Sequence, residues 1–125
     1  MLVKKEVFEN IGLFDKSYFA YFEDADFGLR ARNAGYEIIF CPKARIWHKI
    51  SSSSGGQSNP FKEYYMNRNR IIFMKKYSTN WQFSKFLTCL FFECIFNSLI
   101  YLKKGRFDML NAKLKGVADG LWKSA

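Results

Sequence analysis

Two short stretches of this chain carry residue types that can do chemistry. Glu23-Asp24-Ala25-Asp26 places three carboxylates at the head of a Leu/Arg/Ala-rich segment, and His48, the only histidine, closes an apolar run behind Trp47. A carboxylate at the first turn of a helix meets unpaired backbone N–H groups and the positive end of the dipole, which favour its charged form. The like charges of Glu23 and Asp26 oppose that effect. Asp24 tuned in this way could take the proton from an attacking hydroxyl. His48 could bind a divalent ion, but one imidazole is too few ligands, so carboxylates from elsewhere would have to join it. Each feature also has an ordinary reading. Glu23 and Asp26 can be helix N-terminal charges, with Asp26 pairing Arg30 at i,i+4, and His48 can be a hydrogen-bonded core residue.

The elements that must position these groups follow from punctuation and periodicity. Residues 1–5 suggest a short strand and residues 6–11 a helical turn or two, stopped by Gly12. The aromatic stretch Tyr18-Phe19-Ala20-Tyr21-Phe22 leads into a helix over about 23–34, acidic at its start, with Arg30 and Arg32 near its end and Gly35 after it. Residues 36–41 and 44–50 read as strands, the second placing Ile46, His48 and Ile50 on one face. Ser51 to Pro60 has no apolar residue and reads as a loop, followed by a helix from Phe61 to about Lys76 that Asn59-Pro60 would cap. Phe86 to Leu102 is nearly continuous in apolar residues. Behind it, Phe107, Leu110, Leu114, Val117 and Leu121 recur at the spacing of an amphipathic helix.

Composition limits the function classes. The chain has 125 residues, about one domain, and 20 Lys+Arg against 11 Asp+Glu give +9, which points to anionic partners. No nucleic-acid motif accompanies the scattered basic residues, so a nucleic-acid partner is not expected. The three cysteines, Cys41, Cys89 and Cys94, form no CxxC and read as reduced core thiols of a cytoplasmic protein. The N-terminus lacks the pattern of a signal peptide. The hydrophobic and aromatic shares of 49% and 19% suggest apolar surface in excess of what one small domain covers.

Taken together, residues 12–48, GLFDKSYFAYFEDADFGLRARNAGYEIIFCPKARIWH, closely resemble the C-terminal half of the catalytic domain of family-2 glycosyltransferases, particularly the rhamnosyltransferase-like branch. The resemblance lies in the Gly-Leu-Phe-Asp turn, the aromatic run before Glu-Asp, the Leu-Arg-Ala-Arg helix, the Ala-Gly-Tyr exit and the histidine beyond it. It implies an α/β chain: part of a GT-A domain lacking its N-terminal nucleotide-binding half, with residues 1–78 forming the acceptor side and 79–125 a helical extension. It implies inverting transfer of a hexose or deoxyhexose from a nucleotide-diphosphate sugar to a glycan acceptor, either a cell-surface polysaccharide or a lipid-linked glycan. Asp24 would be the general base and Glu23 would shape the acceptor site. His48 would help hold Mg²⁺ or Mn²⁺ in the full-length parent, while Asp26, Arg68, Arg70, Ser51, Ser52 and Ser53 would contact donor or acceptor. A fragment of this kind would be inactive alone and would self-associate.

For the apolar run 86–102, 17 residues fall short of the roughly 20 that cross a bilayer, and Glu93 and Asn97 would be costly at its centre. A packed helix is the leading expectation. An interfacial helix with peripheral contact at the inner face of the cell membrane comes second, supported by Lys85, Lys103, Lys104 and Arg106. The non-enzymatic rival is a basic membrane-surface or partner-binding module.

Overall fold

The structure, a computed structural model, describes residues 1–45, 47 and 59–122. Five helices run in order: α1 (Lys5–Ile11), α2 (Glu23–Asn33), α3 (Pro60–Tyr77), α4 (Asn80–Lys103) and α5 (Phe107–Trp122). No strand occurs among the described residues, so the expected α/β GT-A architecture is not what the chain forms. A strand needs a partner for its backbone N–H and C=O groups, and the described residues offer none to 1–5 or 36–45. The β-forming run survives as irregular chain with Ile38, Ile39 and Phe40 exposed.

The chain divides into two compact units, residues 1–49 and 50–125. In the first, Val7, Phe27 and Ala31 form a small core, covered by Val3, Phe8, Ile11 and Tyr36. Phe27 sits between Phe8 and Phe14, with ring centroids 5.0 and 4.9 Å away. The expected stops hold: Gly12 ends α1 at φ 79° and Gly35 follows α2 at φ 87°, left-handed positions that glycine takes at little cost.

In the second unit, Asn59 caps α3 by accepting from the Lys62 N–H at 2.8 Å, as its spacing from Pro60 suggested. Thr79 and Gln82 form a reciprocal capping box on α4. The amphipathic face expected of α5 is not the face it buries. Met109, Lys113, Gly116 and Gly120 point inward, while Phe107, Leu114 and Leu121 are exposed and Leu110 and Val117 are half-buried. Two glycines one turn apart allow α3 and α5 to approach closely. A Cβ on Gly116 would lie 2.5 Å from the Tyr64 carbonyl oxygen, and one on Gly120 would lie 2.8 Å from that of Arg68. Gly116→Ala should therefore destabilise the protein by about 1–3 kcal/mol, because the clash is with backbone and outweighs the gain of roughly 1 kcal/mol in helix propensity. Gly28→Ala is the control in chemical denaturation, since its methyl would meet only Ile38 Cδ1 at an ordinary 3.5 Å.

Lys113 is 1% exposed and joins all three helices of this unit. Its Nζ donates to Glu93 Oε1 at 2.9 Å, Asn67 Oδ1 at 3.2 Å and Glu63 Oε1 at 3.4 Å. Arg70 Nη1 donates to Glu93 Oε2 at 2.9 Å. Burial pushes the Glu93 carboxyl up, but the bonds from Arg70 and Lys113 outweigh it and hold the group below the ordinary carboxylate range. A group depressed in the folded state stabilises the fold above its unfolded value and loses that contribution as pH falls through its folded value. Acid unfolding should therefore be steeper in wild type than in Glu93→Gln, read as melting temperature against pH on the acid side. At the other end of the scale, burial and the hydrogen bond to Asp119 Oδ2, 2.5 Å long, push Tyr64 up to about 12. That contribution is complete below the ordinary tyrosine value and is lost as pH rises through about 12.

The expectation of core thiols is corrected as well. Cys41 and Cys89 are exposed and only Cys94 is partly covered, all three being free. Neighbouring apolar letters did not report burial, because the helix and the irregular segment that carry the two exposed cysteines leave much of their apolar surface uncovered.

Candidate active site

The site begins with how α2 is held. Arg30, on its third turn, donates through Nε to Asp26 Oδ2 at 2.8 Å, through Nη1 to the Ile11 carbonyl at 2.6 Å, and through Nη2 to the Leu13 carbonyl at 2.8 Å. One guanidinium thus ties the end of α1 and the Gly-Leu-Phe turn to α2, using its planar fork on three acceptors. Its Cζ also lies 5.4 Å from the centroid of the Phe27 ring. Asp26 is fully buried beside it. The i,i+4 pair anticipated from the sequence is present, and Asp26 serves it from inside the fold.

The chain then enters α2 by an unusual path. Asp15 Oδ1 accepts from the Ser17 N–H at 2.9 Å, closing a short Asx turn, and Tyr18 is buried at 0% exposure. Phe19, Tyr21 and Phe22 have φ of 56°, 66° and 72°. Bulky residues avoid this left-handed region, at a cost of order 1–3 kcal/mol each, and such residues cluster where geometry serves function. Phe22 is the N-cap of α2, so the left-handed stretch ends where Glu23 begins.

Glu23 and Asp24 occupy the first turn with different surroundings. Asp24 is exposed, and its Oδ1 accepts from the Ala25 N–H at 2.8 Å. Glu23 lines an open hollow of ≈ 370 Å³ with Phe14, Asp15, Lys16 and Phe19. Its Oε2 is buried and accepts no hydrogen bond among the described residues. A buried carboxylate oxygen without a donor calls for an explanation, and a ligand hydroxyl in the adjacent hollow would provide one.

The remaining expected site residues are distributed elsewhere. Arg68 donates to Asn69 Oδ1 at 2.7 Å, and Arg70 is engaged with Glu93 and with Asn67 Oδ1 at 3.3 Å, both in the second unit. Arg70 also lines a hollow of ≈ 280 Å³ among α3, α4 and α5, together with Lys113, Glu63 and Tyr101. His48, Ser51, Ser52 and Ser53 lie outside the described residues. Among the described residues no three His, Cys, Asp or Glu side chains converge to hold a metal ion. Three features escaped sequence reading: the carbonyl bonds of Arg30, the orphaned oxygen of Glu23 and the left-handed aromatics. Only the first left a signal, an arginine one turn from an acidic helix start.

A family model described as "Glycosyltransferase like family 2" matches residues 1–73, more than half of the chain. Over 55 residues, 44% of the chain, it is 38% identical to an N-acetylglucosaminyl-diphospho-decaprenol L-rhamnosyltransferase of Mycobacterium tuberculosis, of which the match covers 18%. Over 95% of the chain it is 26% identical to a dTDP-rhamnosyl transferase of Shigella flexneri, with 45% of that protein covered. A galactofuranosyltransferase of Mycobacterium tuberculosis is 32% identical over 57% of the chain and 11% of its own length. The chain therefore spans less than half of each of these relatives. No solved structure matches it.

Proposed function

Since this chain belongs to the family-2 glycosyltransferases and is rhamnosyltransferase-like, we propose that it supplies the acceptor side and the general base for inverting sugar transfer. The donor is a nucleotide-diphosphate hexose or deoxyhexose, and the acceptor is a hydroxyl of a cell-surface polysaccharide or a lipid-linked glycan. The acceptor oxygen attacks the anomeric carbon while the Asp24 carboxylate takes its proton. The bond from that carbon to the diphosphate breaks, and the electron pair leaves with the nucleoside diphosphate. Attack opposite the leaving group inverts the anomeric configuration.

The observation that supports this reading most is the pairing at the head of α2. An exposed carboxylate, Asp24, stands next to Glu23, whose buried oxygen has no donor and which lines the hollow. Glu23 would accept from an acceptor hydroxyl and orient the sugar, leaving Asp24 to receive the reacting proton. The left-handed aromatic stretch and the three bonds of Arg30 hold that turn in place. Mg²⁺ or Mn²⁺ enters this reading only through the resemblance at His48.

The names of the relatives suggest the first substrates to try: dTDP-rhamnose as donor and a polyprenyl-diphosphate-linked N-acetylglucosamine as acceptor. Assayed on the longest natural form of the protein, acceptor-dependent release of nucleoside diphosphate with an inverted product anomer, read by NMR, is expected. A retained anomer, or release that ignores every glycan acceptor, would sink the proposal.

A further inference from the structure

We propose that the outward face of α4 docks in the plane of an anionic lipid bilayer, an inference independent of the glycosyl-transfer reading. α4 spans 24 residues, about 36 Å at 1.5 Å per residue, and only Leu90 on it is buried. By length and composition it is apolar enough to cross a membrane, yet almost none of it is buried. A packed core helix would hide this apolar surface; here Phe91, Phe92, Ile95, Phe96, Leu99 and Leu102 are between 45% and 65% exposed. The earlier expectation of an ordinary packed helix is therefore reversed for this face.

Glu93 and Asn97 lie on the other side of α4. Glu93, its only acidic residue, accepts from Arg70 on α3 and from Lys113 on α5, and Asn97 donates to Glu93. The two groups that would be costly in a bilayer span are thus turned away from the exposed face. They also decide between lying on the bilayer and crossing it. α3 packs along α4 through Arg70 and α5 through Lys113, so a spanning α4 would have to carry these charged helices into hydrocarbon.

Charge identifies the occupant. Lys85 and Lys103 are 18 residues apart, five full turns, so they sit on one line of the helix about 27 Å apart at the two ends of the apolar stretch. Both are exposed, and neither has an acidic neighbour on that face. Trp81 is exposed at the helix start with the Lys85 Nζ 4.6 Å from its ring centroid, and tryptophan and lysine together are suited to the headgroup layer. With the helix lying flat, the exposed apolar side chains reach the acyl boundary while the Lys85 and Lys103 side chains snorkel to anionic headgroups of the same leaflet.

Co-sedimentation of the full chain with vesicles of phosphatidylcholine, with or without phosphatidylglycerol, tests this. Binding to the anionic vesicles that weakens with added salt is expected. Phe92→Asp with Phe96→Asp should reduce partitioning roughly ten- to a hundredfold, with an unchanged far-UV spectrum because both side chains are exposed. Lys85→Gln and Lys103→Gln should each reduce it about fivefold. Alkaline carbonate should release the bound protein. Equal binding to both vesicle types, or to neither, overturns the proposal. So does retention after carbonate, which would mean a span. A Phe92→Asp variant that loses self-association but keeps its vesicle binding would assign the face to a second copy of the chain instead.

Discussion

Asp24→Asn is expected to lower turnover by about 10²–10⁴-fold in the longest natural form of the protein, the usual contribution of a positioned general base. Asparagine keeps the shape of the side chain and can still accept from the Ala25 N–H, so α2 should start as before. What it cannot do is hold the proton that the acceptor hydroxyl must release. The loss should therefore fall on kcat, with donor binding kept, since the proton moves only in the transition state. Glu23→Gln should behave differently. An amide can still accept from a sugar hydroxyl but loses the strength of a charged acceptor, so the KM for acceptor should rise more than kcat falls. Steady-state kinetics with each substrate varied in turn separates the two.

Lys113→Met should be the most damaging single change to stability. Among the described residues it removes the one cation that Glu63 and Glu93 share, and leaves Arg70 as partner to Glu93 alone. Removing one member of a buried charge cluster costs about 3–5 kcal/mol, and the partial exposure of Glu93 places this case near the lower end. For a unit of this size a loss of about 3 kcal/mol lowers the melting temperature by roughly 12–24 °C. Lys113→Met combined with Glu93→Gln should lose less than the two single changes added together, because the second change removes a charge the first has stranded. Strict additivity in thermal melts would show that the cluster is not coupled.

Helix limits were legible where a residue has one physical use. Gly12 and Gly35 supplied left-handed backbone, Asn59-Pro60 opened α3, and acidic and basic residues marked the two ends of α2. Strand character at 36–41 was equally plain in the letters, but a strand is a property of a pair, and the described chain gives this run no partner. The buried face of α5 was misread for a related reason. Periodicity locates leucines, whereas Gly116 and Gly120 bring α3 close on the neighbouring face and seat Lys113 in a polar cluster assembled from three helices. At the candidate site, the first-turn carboxylates and the Asp26–Arg30 pair could be read directly. The left-handed aromatics could not, since Phe19, Tyr21 and Phe22 are residue types that ordinarily avoid that conformation.

Asp24 and Asp26 are two residues apart and differ in burial, which makes their comparison the most direct test of the central claim. Turnover and melting temperature would be measured side by side for Asp24→Asn and Asp26→Asn. An exposed catalytic base and a buried structural anchor predict that Asp24→Asn lowers turnover by about 10²–10⁴-fold with an unchanged melt, while Asp26→Asn lowers the melt by removing the buried charge that pairs with Arg30. Wild-type turnover in Asp24→Asn would contradict the assignment.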